Sequence, residues 1–162
     1  HAEITSVQVE GHTDHTGGNA AVVAATGAKV IAHHKAGGRI ANVDRGVQAG
    51  DAYLRCIPRT EMDIAVVVVA VNRRLDGDRI SEARIALGAV APKIMLVPAA
   101  AQAIVGTTLE DSALDALAAA AITASTPISD KRGTAEFRKD IVGVLVKRAA
   151  RIALNRAKGA TK

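Results

Sequence analysis

The stretch Glu61–Val97 reads EMDIAVVVVAVNRRLDGDRISEARIALGAVAPKIMLV, and its order of apolar runs and turns decides the fold. From Ile64 to Val71 every residue is Ile, Val or Ala; such β-branched density favours a strand over a helix, and its continuity predicts a strand covered on both faces. Asp76-Gly77 then signals a tight hairpin, because the turn that matches strand twist needs a positive φ, which Gly adopts without steric cost. In the return strand Arg79–Leu87, Ala83, Ile85 and Leu87 share one face and Glu82 and Arg84 the other. Gly88 and Ala91-Pro92 break that strand, and Lys93–Val97 reads as a short third one that Pro98 stops. The lengths predict a three-stranded antiparallel meander.

Three helices are expected after it. Pro98 to Val105 opens on a proline suited to a first turn and closes at Gly106; Leu109 to about Ser125 starts with Thr108 and Asp111 in a capping-box spacing; Thr134 to about Ala157 follows Gly133. In the last helix Phe137, Ile141, Val144, Leu145 and Ile152 recur at three- and four-residue steps, which predicts an apolar stripe, with Arg138, Lys147, Arg148 and Arg151 largely off it. Strands first and helices afterwards, on one side of an antiparallel sheet, define an α+β domain.

Outward from that core, the N-terminal fifty residues have a different rhythm. Ile4 to Val9 reads as a strand, Gly18 to Thr26 as a small-residue helix closed by Gly27, and Lys29 to Ala32 as a second strand, so this strand-helix-strand fragment predicts parallel pairing. Gly37-Gly38 and Gly46 to Asp51 read as loop. The resulting partition is 1–51 for the fragment, 52–157 for the α+β domain and 158–162 for a disordered tail.

Composition narrows the function classes. The chain of 162 residues is 49% hydrophobic, enough for a core, yet only Tyr53 and Phe137 are aromatic, so stacking platforms for bases or sugars are nearly excluded. Cys56 has no cysteine to pair with, and neither a secretory leader pattern nor a run of the roughly 20 apolar residues that span a bilayer is present, which makes a cytoplasmic setting without membrane contact the expectation. The net charge of +5 is concentrated from Lys131 to Lys162, where ten Lys or Arg stand against Glu136 and Asp140. That face is either a solvated helix surface or a nucleic-acid contact, and the near-absence of aromatics weighs against nucleic acid.

Two segments carry resemblance to known families. Glu10-Gly11-His12-Thr13-Asp14-His15-Thr16-Gly17-Gly18 places imidazole and carboxylate donors suited to zinc in a loop after a strand, and it resembles the metallo-β-lactamase superfamily, whose hallmark is H-x-H-x-D-H followed by T-G-G. The resemblance implies that His12 serves one zinc site and that Asp14 and His15 serve a second, Asp14 also holding the attacking water. Glu10 stands where the first His belongs, and no histidine follows His34, so the fragment is a truncated one with His12, Asp14 and His15 as its metal candidates. A zinc-dependent hydrolase built on those three is the alternative reading of the chain. From Tyr53 onward, PRTEMDIAVV at Pro58–Val67, LDG at Leu75–Gly77, RISEARIALGAVAP at Arg79–Pro92 and PISDKRGTAEFR at Pro127–Arg138 resemble the C-terminal domain of the FAD-binding medium subunit of molybdenum hydroxylases, the carbon monoxide and xanthine dehydrogenase group.

That second resemblance implies an oxidoreductase context in which the subunit passes electrons by way of FAD, beside a molybdenum-binding large subunit and an iron-sulfur small subunit. The flavin-cradling glycine-rich region belongs to the family's preceding domain and has no counterpart here. The implied role is an auxiliary scaffold domain with no catalytic residue of its own, inactive in isolation and without an assigned cofactor-binding residue. Arg132 and Arg138 are candidates for contacting a cofactor or partner, or for lying in a charged first helical turn. An apolar face without its neighbouring domain predicts self-association.

Overall fold

The computed structural model describes residues 6–8, 19–26, 29–33, 45–60 and 62–159. They form two compact units, His1–Gln48 and Ala49–Lys162. In the first, β1 (Ser6–Gln8), α1 (Asn19–Thr26) and β2 (Lys29–His33) follow one another, and β1 and β2 run parallel with Val7 opposite Val30. This is the strand-helix-strand order that alternating apolar segments dictate. A further strand, β3 (Arg45–Cys56), begins parallel to β2, with Ala32 opposite Gly46. Residues 46–51 are therefore extended rather than loop.

In the second unit the sheet is antiparallel and has four strands rather than three, in the order β3, β4 (Val67–Asp76), β5 (Arg79–Gly88) and β6 (Met95–Leu96). The hairpin forms where the Asp76-Gly77 signal predicts one, its two turn residues being Gly77-Asp78 between the paired Asp76 and Arg79, with Gly77 at φ +59. The ladder runs from Val68 opposite Gly88 to Asp76 opposite Arg79, and its register shifts between Arg74 and Leu75. β6 is two residues long. At the other end of β5, the Ile80 N–H donates to Thr107 O at 2.9 Å and the Gly106 N–H to Ile80 O at 2.8 Å, while Arg79 Nη1 donates to Gly106 O at 2.6 Å.

Burial alternates along β4. Val67, Val69, Val71, Arg73 and Leu75 are buried, whereas Val68 and Ala70 are half-buried and Asn72 is exposed. The unbroken apolar run thus forms a strand with one covered face, and its first residue, Ile64, lies outside the strand and is exposed. The opposite phase of β3 contributes Ala52, Leu54 and Cys56 to the same core.

Helices cover that face. α4 (Ala135–Ala157) lies along β4, α2 (Pro98–Gln102) lies against β5, and α3 (Asp111–Ala124) packs on both helices. Thr134 caps α4, its Oγ1 accepting the Phe137 N–H at 3.2 Å. α3 starts differently from the capping-box expectation: Glu110 is its N-cap without a side-chain cap bond, and Leu109 before it has φ 69.

The buried stripe of α4 also differs from the apolar periodicity. Val142, Leu145, Val146, Ala149, Ala150 and Ala153 face the core together with Arg138, while Phe137 and Val144 are 44% and 43% exposed. Small residues win those positions because the helix must lie close to β3: a Cβ on Gly50 would come within 2.3 Å of Ala153 O. Lys158 caps α4, and the Gly159 N–H donates to Arg156 O, so both belong to its final turn. Among the described residues no helix is long and apolar enough to cross a membrane.

Candidate functional site

Residues from two segments far apart in sequence, Pro58, Arg59, Met62, Asp63 and Ile64 from one and Lys131 and Arg132 from the other, line a cleft of about 710 Å³. Each is shaped by one aspartate. Asp63 Oδ2 accepts the Arg59 N–H at 2.8 Å and the Thr60 N–H at 3.1 Å, and Arg59 Nη2 donates to Asp63 Oδ1 at 3.0 Å. The loop is folded onto its own carboxylate, which leaves Met62 (93% exposed) and Ile64 facing solvent.

Asp130 does the same across the cleft. Its Oδ1 accepts the Arg132 N–H at 2.7 Å and Arg138 Nη2 at 2.7 Å, and its Oδ2 accepts Arg132 Nη1 at 3.3 Å. Arg138, 4% exposed, reaches further, its Nη1 donating to Val66 O at 3.1 Å and to Ala89 O at 3.2 Å. One guanidinium therefore ties the start of α4, the entry to β4 and the exit from β5.

These contacts set the protonation states. The Arg59 side chain, followed by the Thr60 amide, holds the Asp63 carboxyl below its ordinary value of 3.8. The Arg132 amide, then the Arg138 guanidinium, lowers Asp130 in the same way. Both carboxylates are acceptors at neutral pH and have no proton to give. The cleft is lined by Pro58, Met62 and Ile64 together with Arg59, Lys131 and Arg132, the two arginines being paired with Asp63 and Asp130.

Of the residues singled out in the sequence, Arg132 stands at the cleft and Arg138 is buried beneath it, so Arg138 is neither a solvated first-turn charge nor free to touch a cofactor. His12, Asp14, His15 and His34 lie outside the described residues, and His33 is the last residue of β2, opposite Val47. Among the described residues no group of three or more His, Cys, Asp or Glu could hold a metal. Several basic side chains of α4 and its cap meet carboxylates: Lys147 pairs with Asp115, Arg151 with Asp111 at 3.3 Å, Arg156 with Asp51 at 3.7 Å, and the C-cap Lys158 with Asp78 at 3.4 Å. Much of the positive face read as a nucleic-acid contact is matched within the fold.

Arg73 was not singled out by the sequence and is the most buried charge in the domain, 1% exposed on β4. Its signal was available in the strand's two-residue period, since Arg73 follows Val67, Val69 and Val71 in phase.

The second unit is thus an α+β domain, a four-strand antiparallel sheet under a helical layer with two aspartate-closed loops meeting at one end. Residues 52–153 match the CO dehydrogenase flavoprotein C-terminal domain, and the chain belongs to that family. It is 38% identical over 96 residues, 59% of its length and 33% of the relative's, to the carbon monoxide dehydrogenase medium chain of Afipia carboxidovorans. The structure of reconstituted CO dehydrogenase from Oligotropha carboxidovorans superposes with a TM-score of 0.65 at 35% identity, covering 67% of this chain and 38% of that one. The chain thus spans roughly a third of these relatives. Separately, an N-terminal stretch of 40 residues, 25% of this chain, is 88% identical to a hydroxyacylglutathione hydrolase of Polaromonas sp. and covers 15% of that enzyme.

Proposed function

We propose that residues 52–153 serve as the supporting layer of a flavoprotein medium subunit in a molybdenum hydroxylase, working in an electron-transfer context beside a molybdenum-binding large subunit and an iron-sulfur small subunit. FAD is then held by another domain of that subunit, and the chain alone has no turnover. One observation carries this reading. A flavin dinucleotide needs backbone N–H groups for its pyrophosphate, and the amides that border the cleft, those of Arg59, Thr60 and Arg132, already donate to Asp63 and Asp130. The cleft therefore does not fit FAD as its own ligand. Titration of the purified chain with FAD, followed by quenching of flavin fluorescence, should give no saturation; a stoichiometric flavin spectrum on the isolated chain would refute the proposal.

The N-terminal segment supports a second, separate reading. Its identity to a hydroxyacylglutathione hydrolase extends over only 40 residues, and a catalytic zinc ordinarily has three protein ligands and an open position. His12, Asp14 and His15 then give weak zinc affinity without hydrolysis. Metal analysis of the chain before and after His15→Ala tests this: tightly held zinc together with thioester hydrolysis, both lost in the variant, would establish a hydrolase instead.

A further inference from the structure

Opposite its helices, the sheet of the second unit has an open face with a definite relief. Ala70 and Ala86 are registered partners at its centre, and they form the floor of a hollow of about 210 Å³ that Asp51, Tyr53, Asn72, Arg84 and Leu96 also line. Tyr53 on β3 is 61% exposed and Leu96 on β6 is 66% exposed, so bulky apolar side chains rise on either side of small ones. Asp51 and Arg84 place opposite charges at the same hollow. Asp51 is 76% exposed at 3.7 Å from Arg156, and among the described residues Arg84 has no ion-pair partner.

We infer that this face is a homodimer interface, its occupant a second copy of the chain. The strand order supplies the reason. β4 lies between β3 and β5, so a two-fold axis running along β4 lays β3 of one copy over β5 of the other. Tyr53 then descends onto the other copy's alanine floor, and Asp51 meets the other copy's Arg84. Symmetry makes each contact twice. Facing sheets pack about 10 Å apart, a gap that tyrosine opposite alanine fills and that two bulky residues would not. The same hollow offers both a projection and its receptor, and both members of an ion pair. This self-complementarity is what singles out a second copy over an unrelated partner. The inference does not depend on the flavoprotein reading, since it uses only the unit's own open face.

The test is sedimentation velocity on the full chain over a concentration series. A monomer–dimer equilibrium is expected, with Arg84→Glu and Asp51→Arg each raising the dissociation constant about tenfold or more, and the doubly reversed chain, Asp51→Arg with Arg84→Glu, regaining the original value because the pair is restored with its signs exchanged. Tyr53→Ser should weaken the dimer independently, which keeps the test decisive if a charge reversal unfolds the chain; thermal melts identify that case. A monomer at every concentration, or a dimer indifferent to Tyr53→Ser and to both reversals, overturns the inference. So does a doubly reversed chain that stays dissociated.

Discussion

The two ends of α4 are held to the sheet by different physics. At the N-terminal end Arg138 spends its guanidinium on Val66 O, Ala89 O and Asp130, closing a polar anchor inside the fold. Over the C-terminal half the contact is steric: Gly50 lets the helix backbone at Ala153 and Ala157 approach β3, and the buried cation there, Arg73, finds only Ala150 O at 3.1 Å. Arg73 Nε and Nη1 have no partner, and burial pulls its pKa down to about 10. A buried charge stabilises only where acceptors surround it, so the same residue type supports one end and burdens the other.

The comparison can be broken most sharply at Arg138. Arg138→Leu removes the donor from the Val66 and Ala89 carbonyls and one of the donors to Asp130, and should cost about 3 kcal/mol in urea unfolding; a loss near zero would mean the anchor is decorative. Gly50→Ala forces a methyl against helix backbone that cannot yield, and a loss of about 2 kcal/mol is expected by the same measurement. Arg73→Met should do the opposite, raising stability by about 1 kcal/mol, because an apolar side chain of similar length removes the unmet donors. A destabilised Arg73→Met protein would show that the two ends are alike after all.

Smaller effects sharpen the picture. Ala89 has φ 62, a conformation that Gly adopts freely, so Ala89→Gly should be neutral to stabilising by about 0.5 kcal/mol in thermal melts, the relieved strain slightly exceeding the entropy cost. Asp63 and Asp130 are lowered in the folded state, so their contribution is complete above the ordinary value of 3.8 and disappears as pH falls through the lower folded values. Melting temperature should therefore drop on the acid side, and Asp130→Asn should flatten that limb; an unchanged slope would show that Asp130 is not linked to folding.

Much of the fold was legible because local chemistry and tertiary structure agree in the hairpin, where Asp76-Gly77 and the flanking β-branched runs admit one arrangement. β3 was not legible. Its glycines, Gly46 and Gly50, read as loop, yet Gly50 is small because a helix passes close by, a constraint set by residues about a hundred positions away. The helix stripe failed for a related reason: alanines at 149, 150 and 153 carry weak hydrophobic signal but allow close approach, while Phe137 and Val144 stand largely outside the core. The cleft was visible only as separate motif blocks. Their convergence depends on Arg138 reaching a carbonyl 72 residues away, and a charged residue inside a buried layer contradicts the apolar periodicity by which helices are read.

The bonds between Ile80 and the Gly106-Thr107 turn have a consequence for how copies of this chain can meet. Together with β6, which covers Ala86 and Leu87, that turn occupies much of the outer margin of β5. The margin then presented to solvent is a strand of two residues, too short to template the addition of a foreign strand. Growth of the sheet sideways into open-ended polymers is blocked on that flank, whereas broad-face contact about a two-fold axis closes on itself with finite stoichiometry.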